Sequence, residues 1–307
     1  MTLGGIWAAV LTPCDAAGAI DLARWVAHGR RLLAQGCHGL ALFGTTGEAA
    51  AYTVAERQAA LEAALAAGLA APQLMVGVGC CAHGDTVALA RHALALGVTR
   101  LLLLPPFFYK NNEDEGLHRA FAEAIDSIGD ARMEVLLYHF PQLAGVPVTR
   151  GVIERLLASH PGQIRGLKDS SGDLAHTLHL IAAFPRLAIF AGADNHLLEV
   201  LAAGGAGTIS AAANLNAAAS RAVHDAFTTG ERAAAESGIA LVRAVRAALQ
   251  RRPLIPALKA VLAATAADPA WRRVRPPLLE LGPAETDALL AELTAAGWPG
   301  AARPAAA

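Results

Sequence analysis

Short apolar runs alternate along the chain with longer segments of helical spacing. Each run is followed by a turn rich in Gly or polar residues, and there are eight of them, at 6–13, 39–44, 73–79, 100–106, 133–140, 164–170, 187–194 and 206–211. The runs are too short for helices and suit strands that are buried on both faces of a parallel sheet. The segments between them, such as 22–36, place apolar residues on one helical face. The pattern therefore predicts eight βα units.

Eight strands with interleaved helices predict an α/β protein with a (β/α)8 TIM-barrel fold. The eighth run ends near Ala211, and the remainder predicts further helices with breaks at 251–256 and 275–278. We assign residues 1–215 to the barrel and residues 216–307 to a C-terminal helical extension packed on it. An open doubly wound sheet is the alternative, but no Gly-rich dinucleotide fingerprint follows the first run.

Capping residues mark several of the predicted helix ends. Asp21, Thr53 and Asp85 are placed where helix N-caps are expected, because their side-chain oxygens accept hydrogen bonds from free backbone N–H groups. Gly36 and Gly97 are placed where helices end in a left-handed conformation.

Composition and charge exclude several classes of protein for this chain. Hydrophobic residues make up 54% and charged residues 17% of the 307 residues, which excludes a disordered chain. The net charge of −1 is scattered without a basic stripe, so we expect no nucleic-acid partner. No apolar stretch is long enough to span a membrane, and the N-terminus lacks a signal-peptide pattern. The chain has four cysteines, which are Cys14, Cys37, Cys80 and Cys81. Their spacing fits neither a zinc site nor a disulfide framework, so we expect a reduced, cytoplasmic protein.

One of only three lysines closes the sixth run, in the stretch "IRGLKDSSGD". Catalytic groups of TIM barrels lie at the C-terminal ends of strands, so Lys168 is a candidate catalytic residue. The alternative is a structural lysine that forms a salt bridge with Asp169 or Asp173. The other two lysines are predicted in a solvated turn and on a helix surface, respectively: Lys110 and Lys259.

The second run ends in the turn "FGTTGEAA" at 43–50. Its backbone N–H groups and the hydroxyls of Thr45 and Thr46 suit an anion such as a substrate carboxylate. The alternative is a turn whose threonines bond only to their own backbone.

The fifth run ends in "LLYHFP", which contains Tyr138, one of three tyrosines. A tyrosine beside an anion site is able to move a proton through its phenol. The alternative is an aromatic residue that fills the barrel and whose hydroxyl bonds to a neighbour.

Together these three strand ends resemble the dihydrodipicolinate synthase / N-acetylneuraminate lyase family. The Gly-Thr-Thr-Gly-Glu turn, Tyr138 followed by Pro141, and Gly-Leu-Lys-Asp around Lys168 appear in the family's order. The resemblance continues at 192–215, 255–262 and 274–278 and covers essentially the whole chain. It implies class I aldolase chemistry, in which a lysine forms a Schiff base with pyruvate or another 2-keto acid and no metal or organic cofactor is needed.

The resemblance also implies a role for each candidate residue. Lys168 forms the Schiff base, Tyr138 moves protons to and from the substrate, and Thr45 orients the Tyr138 hydroxyl. Thr45 and Thr46 hold the substrate carboxylate in the turn. The remaining positions expected to contact substrate are Gly44, Gly47, Ile209, Phe108 and Tyr109.

Two departures from the family's pattern bear on the substrate. Leu143 stands where members that make the lysine precursor have an arginine for the second substrate's carboxylate, and Phe108 stands where a tyrosine from a neighbouring subunit is common. The sequence therefore favours a lyase, either an aldolase or a dehydratase, that acts on a 2-keto-3-deoxy sugar acid. The alternatives are 4-hydroxy-tetrahydrodipicolinate synthase and a non-catalytic paralogue that binds a keto acid. The resemblance further implies a homotetramer built as a dimer of dimers.

Overall fold

Eight parallel strands form a closed barrel in the computed structural model, which describes residues 3–301. The strands are β1 Gly5–Ala9, β2 Gly39–Leu42, β3 Leu74–Gly77, β4 Arg100–Leu103, β5 Glu134–His139, β6 Ile164–Asp169, β7 Ala188–Ala191 and β8 Gly207–Ser210. Each strand pairs with the next along the chain, and β8 pairs with β1. The predicted α/β TIM-barrel fold is confirmed, and the open doubly wound sheet is wrong.

Helices follow the strands and continue beyond the barrel. They are α1 Leu22–Ala34, α2 Val54–Ala66, α3 His83–Ala95, α4 Asp114–Ile128, α5 Pro141–Ala144, α6 Arg150–Ser159, α7 Leu174–Ala183, α8 Leu197–Ala202, α9 Ala213–Thr228, α10 Arg232–Gln250, α11 Leu254–Thr265 and α12 Pro283–Ala295. Helix α9 packs on β1 and β8 and so completes the ring of helices, while α10 to α12 form the extension. Within residues 3–301, no helix has the length and apolar character needed to cross a bilayer.

The predicted caps are found at two of the three helix starts. Asp21 accepts a hydrogen bond from the N–H of Arg24, and Thr53 forms a reciprocal capping box with Glu56. The prediction for Asp85 is wrong, because α3 already begins two residues earlier and Asp85 lies in its first turn. There its charge still favours the helix dipole. Two glycines end α1 and α3 with positive φ, as predicted: Gly36 and Gly97.

Alternate strand residues point into the barrel, which they fill as a packed core. These inward residues include Trp7, Ala9, Ala41, Met75, Leu102, Leu136, Tyr138, Phe190 and Ile209. Strands β5 and β6 pair in a register that places Tyr138 beside Lys168. Because the side-chain period of a strand is two, the next residues, His139 and Asp169, point outward to the helices.

A second apolar core joins the extension to the barrel. Leu11 and Ala211, which follow β1 and β8, pack with Leu258 of α11 and with Trp271. The predicted break at 251–256 is found, since α10 ends at Gln250 and α11 begins at Leu254. The segment 275–278 also lies outside the helices, before α12. The division into residues 1–215 and 216–307 stays a prediction.

Candidate active site

A cavity of about 720 Å³ lies at the C-terminal end of the barrel strands. Four of the predicted site residues line it: Thr45, Thr46, Tyr138 and Lys168. The extension supplies part of the wall through Arg246 of α10 and through the start of α11. The three strand ends that the sequence singles out therefore meet in one cavity, and the extension helps to close it.

Lys168 is buried in this cavity beside Tyr138. Only 3% of Lys168 is exposed, and its Nζ lies 4.3 Å from the centroid of the Tyr138 ring. Within residues 3–301, no carboxylate forms an ion pair with Lys168. Asp173 instead caps α7 by accepting a hydrogen bond from the N–H of His176. The salt-bridge alternative for Lys168 is wrong.

Asp169 is held on the outer side of the barrel by three donors. Its Oδ1 accepts from the N–H of Ser171 at 2.9 Å, and its Oδ2 accepts from the Thr177 hydroxyl at 2.7 Å. Nδ1 of His176 lies 2.9 Å from the same Oδ2. Burial would raise the pKa of the Asp169 carboxyl, but hydrogen bonds from His176, Ser171 and Thr177 outweigh it and lower the pKa. The oxygens of Asp169 are therefore occupied by hydrogen bonds within the connection between β6 and α7.

His139 supports Asp169 and His176 although no sequence motif marks it. Its Nδ1 accepts a hydrogen bond from the N–H of Val148 at 3.0 Å, and its ring stacks on that of His176 with centroids 4.8 Å apart. His139, Asp169 and His176 bring possible metal-ligand atoms within 4.8 Å of one another. Hydrogen bonds within the protein already occupy His139 Nδ1, His176 Nδ1 and both oxygens of Asp169, so the cluster acts as a hydrogen-bonded support. His139 directly follows Tyr138 in β5, and the alternation of side chains along a strand predicts that it points outward.

The turn after β2 places Thr45 against Tyr138. Thr45 Oγ1 lies 3.2 Å from the Tyr138 hydroxyl. Phe43 and Glu48, at either side of the turn, both have positive φ, of 51° and 54°. Such left-handed conformations cost non-Gly residues on the order of 1–3 kcal/mol each, so the surrounding structure must hold them in place. A Cβ at Gly47 would lie 3.0 Å from the carbonyl oxygen of Val10, the residue that directly follows β1.

A buried ion pair holds this turn from the extension. Lys259 of α11 is fully buried and donates to the Glu48 carboxylate and, at 2.9 Å, to the carbonyl of Arg273. The N–H of Arg275 donates to Glu48 Oε2 at 3.1 Å. The prediction that Lys259 lies on a helix surface is wrong, because α11 is buried along most of its length and the lysine requires an internal partner.

Three predicted substrate contacts lie just behind the cavity lining. Ile209 is fully buried inside the barrel and packs in the same layer as Tyr138, while Ala211 lines the cavity at the end of β8. Gly44 and Gly47 shape the turn without facing the cavity themselves.

Phe108 and Tyr109 lie outside the cavity of their own chain. They are 73% and 76% exposed, and their rings meet edge to face with centroids 5.3 Å apart. Leu143, which stands in the place of the family's arginine, lines the cavity with a largely exposed side chain. The cavity thus has an apolar group where that arginine was expected.

A second cavity of about 1010 Å³ lies between α1, α9 and α11. Among its lining residues is His28, which is buried, and burial lowers the pKa of His28 to about 3. The part of the lining that the structure describes contains neither a lysine nor a tyrosine. The cavity at the strand ends is therefore the one equipped for Schiff-base chemistry.

Comparisons with known proteins find relatives that match this chain over nearly its whole length. The sequence model of the dihydrodipicolinate synthetase family matches residues 2–296. An uncharacterized DapA-like lyase of Chloroflexus aurantiacus is 42% identical over 290 residues, which cover 94% of this chain and 95% of the relative. The crystal structure of dihydrodipicolinate synthase from Agrobacterium tumefaciens superimposes with a TM-score of 0.84 at 33% identity, over 95% of this chain and 98% of that one. YagE, a prophage protein of the same family from Escherichia coli solved in complex with pyruvate, superimposes with a TM-score of 0.88 at 25% identity, over 97% and 100% of the two chains.

Proposed function

Because this chain belongs to the dihydrodipicolinate synthetase family, we propose that it is a Schiff-base-forming lyase acting on a 2-keto-3-deoxy sugar acid. Pyruvate is released when it acts as an aldolase, and water when it acts as a dehydratase. The proposal is carried by one observation: a buried lysine that has no carboxylate partner among residues 3–301 and lies 4.3 Å from the ring of a tyrosine whose hydroxyl meets Thr45.

The first step joins Lys168 to the keto carbon. An amine attacks a carbonyl through the lone pair of its nitrogen, and within residues 3–301 no carboxylate forms an ion pair with Nζ of Lys168. Nζ adds to C2 of the keto acid, one proton is taken up, and the C2 oxygen leaves as water. The product is an iminium ion. Thr45 and Thr46 receive the C1 carboxylate through hydroxyls and backbone N–H groups.

The second step uses the iminium as an electron sink. The Tyr138 hydroxyl relays the proton of the C4 hydroxyl: it accepts that proton as it passes its own to Thr45 Oγ1, which in turn releases one to solvent, while the C3–C4 bond breaks and its electrons form an enamine. After the aldehyde leaves, a proton returns to C3 along the same relay. Water then releases pyruvate and frees Lys168. In a dehydratase, the enamine instead forms by loss of a C3 proton, and the C4 hydroxyl leaves as water.

A synthase that condenses pyruvate with aspartate semialdehyde is the second candidate. The likeness to the Agrobacterium tumefaciens enzyme at 33% identity favours it. Leu143 disfavours it, because loss of a charge partner for a bound carboxylate costs about 2–5 kcal/mol.

Reduction with borohydride in the presence of pyruvate tests the chemistry. We expect a pyruvate-sized adduct on Lys168, found by intact mass and peptide mapping, and none on Lys110 or Lys259. Lys259 serves as an internal control because it is buried but bound to Glu48. Absence of any adduct with pyruvate and several other 2-keto acids would instead support the non-catalytic paralogue.

Turnover then separates the two catalytic candidates. We expect cleavage or dehydration of a 2-keto-3-deoxy sugar acid and only slow condensation with aspartate semialdehyde. Restored growth of a strain that lacks the synthase would support the second candidate. We further propose that the enzyme works in the cytoplasm as a homotetramer.

A further inference from the structure

Helix α10 directs two arginines, one helical turn apart, at different targets. Arg243 is bound by protein groups: it donates to the Glu199 carboxylate and, at 3.2 Å, to the carbonyl of Asn195. Arg246 lines the catalytic cavity instead. Its Nε and Nη1 are buried and have no hydrogen-bond acceptor among residues 3–301.

Two buried donors without an acceptor are costly. Each one forfeits its hydrogen bonds to water unless a partner is supplied. A guanidinium is a cation with donors only, so the partner of Arg246 is expected to be an acceptor with negative charge. A protein retains such an arrangement at little cost when the partner is a ligand that enters the cavity.

Asp194 is an acidic residue close enough for its charge to interact with that of Arg246. It is fully buried, and burial raises the pKa of its carboxyl, while the charge of Arg246 and the hydroxyl of Ser210 oppose that rise. No hydrogen bond joins the two side chains, and Asp194 itself does not line the cavity. Asp194 therefore leaves the donors of Arg246 available to a ligand.

The rest of the described lining offers no competing negative charge. Asp169 is its one carboxylate, and three donors already occupy it. On the β5 side, Leu143 contributes no charge. Arg246 is thus the one arginine of this lining. It comes from helix α10, whereas an arginine was expected after β5, where Leu143 stands.

We propose that Arg246 binds an anionic group, a carboxylate or a phosphate, at the end of the substrate remote from the keto carbon. This inference rests on the proposed function and refines it: the substrate is a 2-keto-3-deoxy acid with a second acidic group. A planar guanidinium suits both kinds of anion.

The test compares three probes that differ only at the remote end. They are a 2-keto-3-deoxyhexonate with a neutral hydroxymethyl end, its 6-phosphate, and the 2-keto-3-deoxyhexarate with a carboxylate there. The readout is the concentration that gives half-maximal borohydride trapping on Lys168, which does not require turnover. The variants are Arg246→Gln, Arg246→Lys and the control Arg232→Gln, which removes the same charge from the exposed start of the same helix.

We expect the unaltered protein to be half-saturated by one anionic probe at a concentration at least about tenfold below that of the neutral probe. Arg246→Gln should abolish that advantage, Arg246→Lys should restore part of it, and Arg232→Gln should keep it. Trapping of pyruvate should change little in all three variants. The anionic probe that depends on Arg246 identifies the group as carboxylate or phosphate.

Two negative results have different meanings. If pyruvate is trapped but no anionic probe has an advantage that depends on Arg246, the inference is wrong and the proposed function stands. A uniform loss for all probes in Arg246→Gln also overturns it, because that pattern indicates a structural role. If not even pyruvate is trapped on Lys168, the proposed function itself fails.

Discussion

Asn214 determines which nitrogen of His28 carries the proton. The Asn214 side chain is fully buried and donates through Nδ2 to the carbonyls of Ala9 and Ala211, at 2.8 and 2.7 Å. Its oxygen therefore accepts, from the N–H of Leu11 at 3.1 Å and from Nε2 of His28 at 2.8 Å. His28 is neutral with its proton on Nε2. A single amide thus joins α1, β1 and the end of β8.

This arrangement predicts that His28 destabilises the fold in acid. Burial, together with the charge of Arg31, lowers the pKa of His28 from 6.5 to about 3. Between these values the unfolded chain takes up a proton that the folded chain does not, so stability falls as the pH decreases from 6.5. The contribution approaches about 1.4 kcal/mol per pH unit. In His28→Gln, we expect a smaller loss of unfolding free energy between pH 7 and pH 5, measured by urea denaturation.

The control is the exposed His83, whose replacement by Gln should leave the pH dependence as it is in the unaltered protein. An identical slope in His28→Gln and the unaltered protein would contradict the expectation.

At the scale of elements, the turn after β2 and helix α11 depend on each other. Glu48 holds a strained backbone conformation, and Lys259 is the buried counter-ion of its side chain. Removing one partner of a buried pair leaves the other charge without compensation, at a cost of about 3–5 kcal/mol. We therefore expect Lys259→Met to lower the free energy of unfolding by that amount and to weaken pyruvate binding, read by the concentration for half-maximal trapping on Lys168.

The double variant Glu48→Gln with Lys259→Met should recover part of the lost stability, because no buried charge then remains unpaired. Breaking the exposed Arg150–Glu154 pair of α6 with Glu154→Gln is the control and should cost under about 0.5 kcal/mol. A loss in Lys259→Met no larger than in that control would show that the pair does not support the turn.

The order and number of these elements could be read from the sequence, but their ends and long-range contacts could not. Each of the eight apolar runs overlaps with a strand. The reason is that strands buried on both faces of a parallel sheet consist of consecutive hydrophobic residues. Several runs extend past the strand, as at 6–13, where β1 ends at Ala9. Apolar residues beyond the end of a strand still pack in the core, so hydrophobicity does not show where the last hydrogen bond between neighbouring strands lies.

The candidate site was predicted in part for a related reason. Lys168, Tyr138 and Thr45 follow from their places at strand ends, which topology brings together. Arg246 and Lys259 reach the site from helices far along the chain, and helical spacing alone does not distinguish an inward lysine or arginine from a solvated one. Their roles depend on tertiary packing that no local pattern encodes.

At the scale of the whole molecule, the exposed aromatic pair after β4 bears on assembly. Phe108 and Tyr109 are adjacent and almost fully accessible, which is unusual for large apolar side chains without a partner. We expect the protein to sediment as a tetramer, and the double variant Phe108→Ser with Tyr109→Ser to shift it to smaller species in sedimentation velocity. Leu279→Ser, at a single side chain that is 82% exposed, is the control.

A monomeric unaltered protein, or a double variant that assembles as before, would contradict a role of this pair in subunit contacts. Either result would also remove the reason to expect Phe108 or Tyr109 near a neighbouring subunit's substrate.

The ion pair between Glu48 and Lys259 has a consequence for synthesis of the chain. The two residues are 211 positions apart, and the ribosome makes Glu48 first. A nascent polypeptide that has emerged only through β8 already carries Lys168 and Tyr138. It still lacks the cation that steadies the threonine-bearing turn. Translation therefore delivers Lys168, Tyr138 and the threonine-bearing turn early and the buried cation that supports this turn late, so the turn is fully held only once α11 has been made.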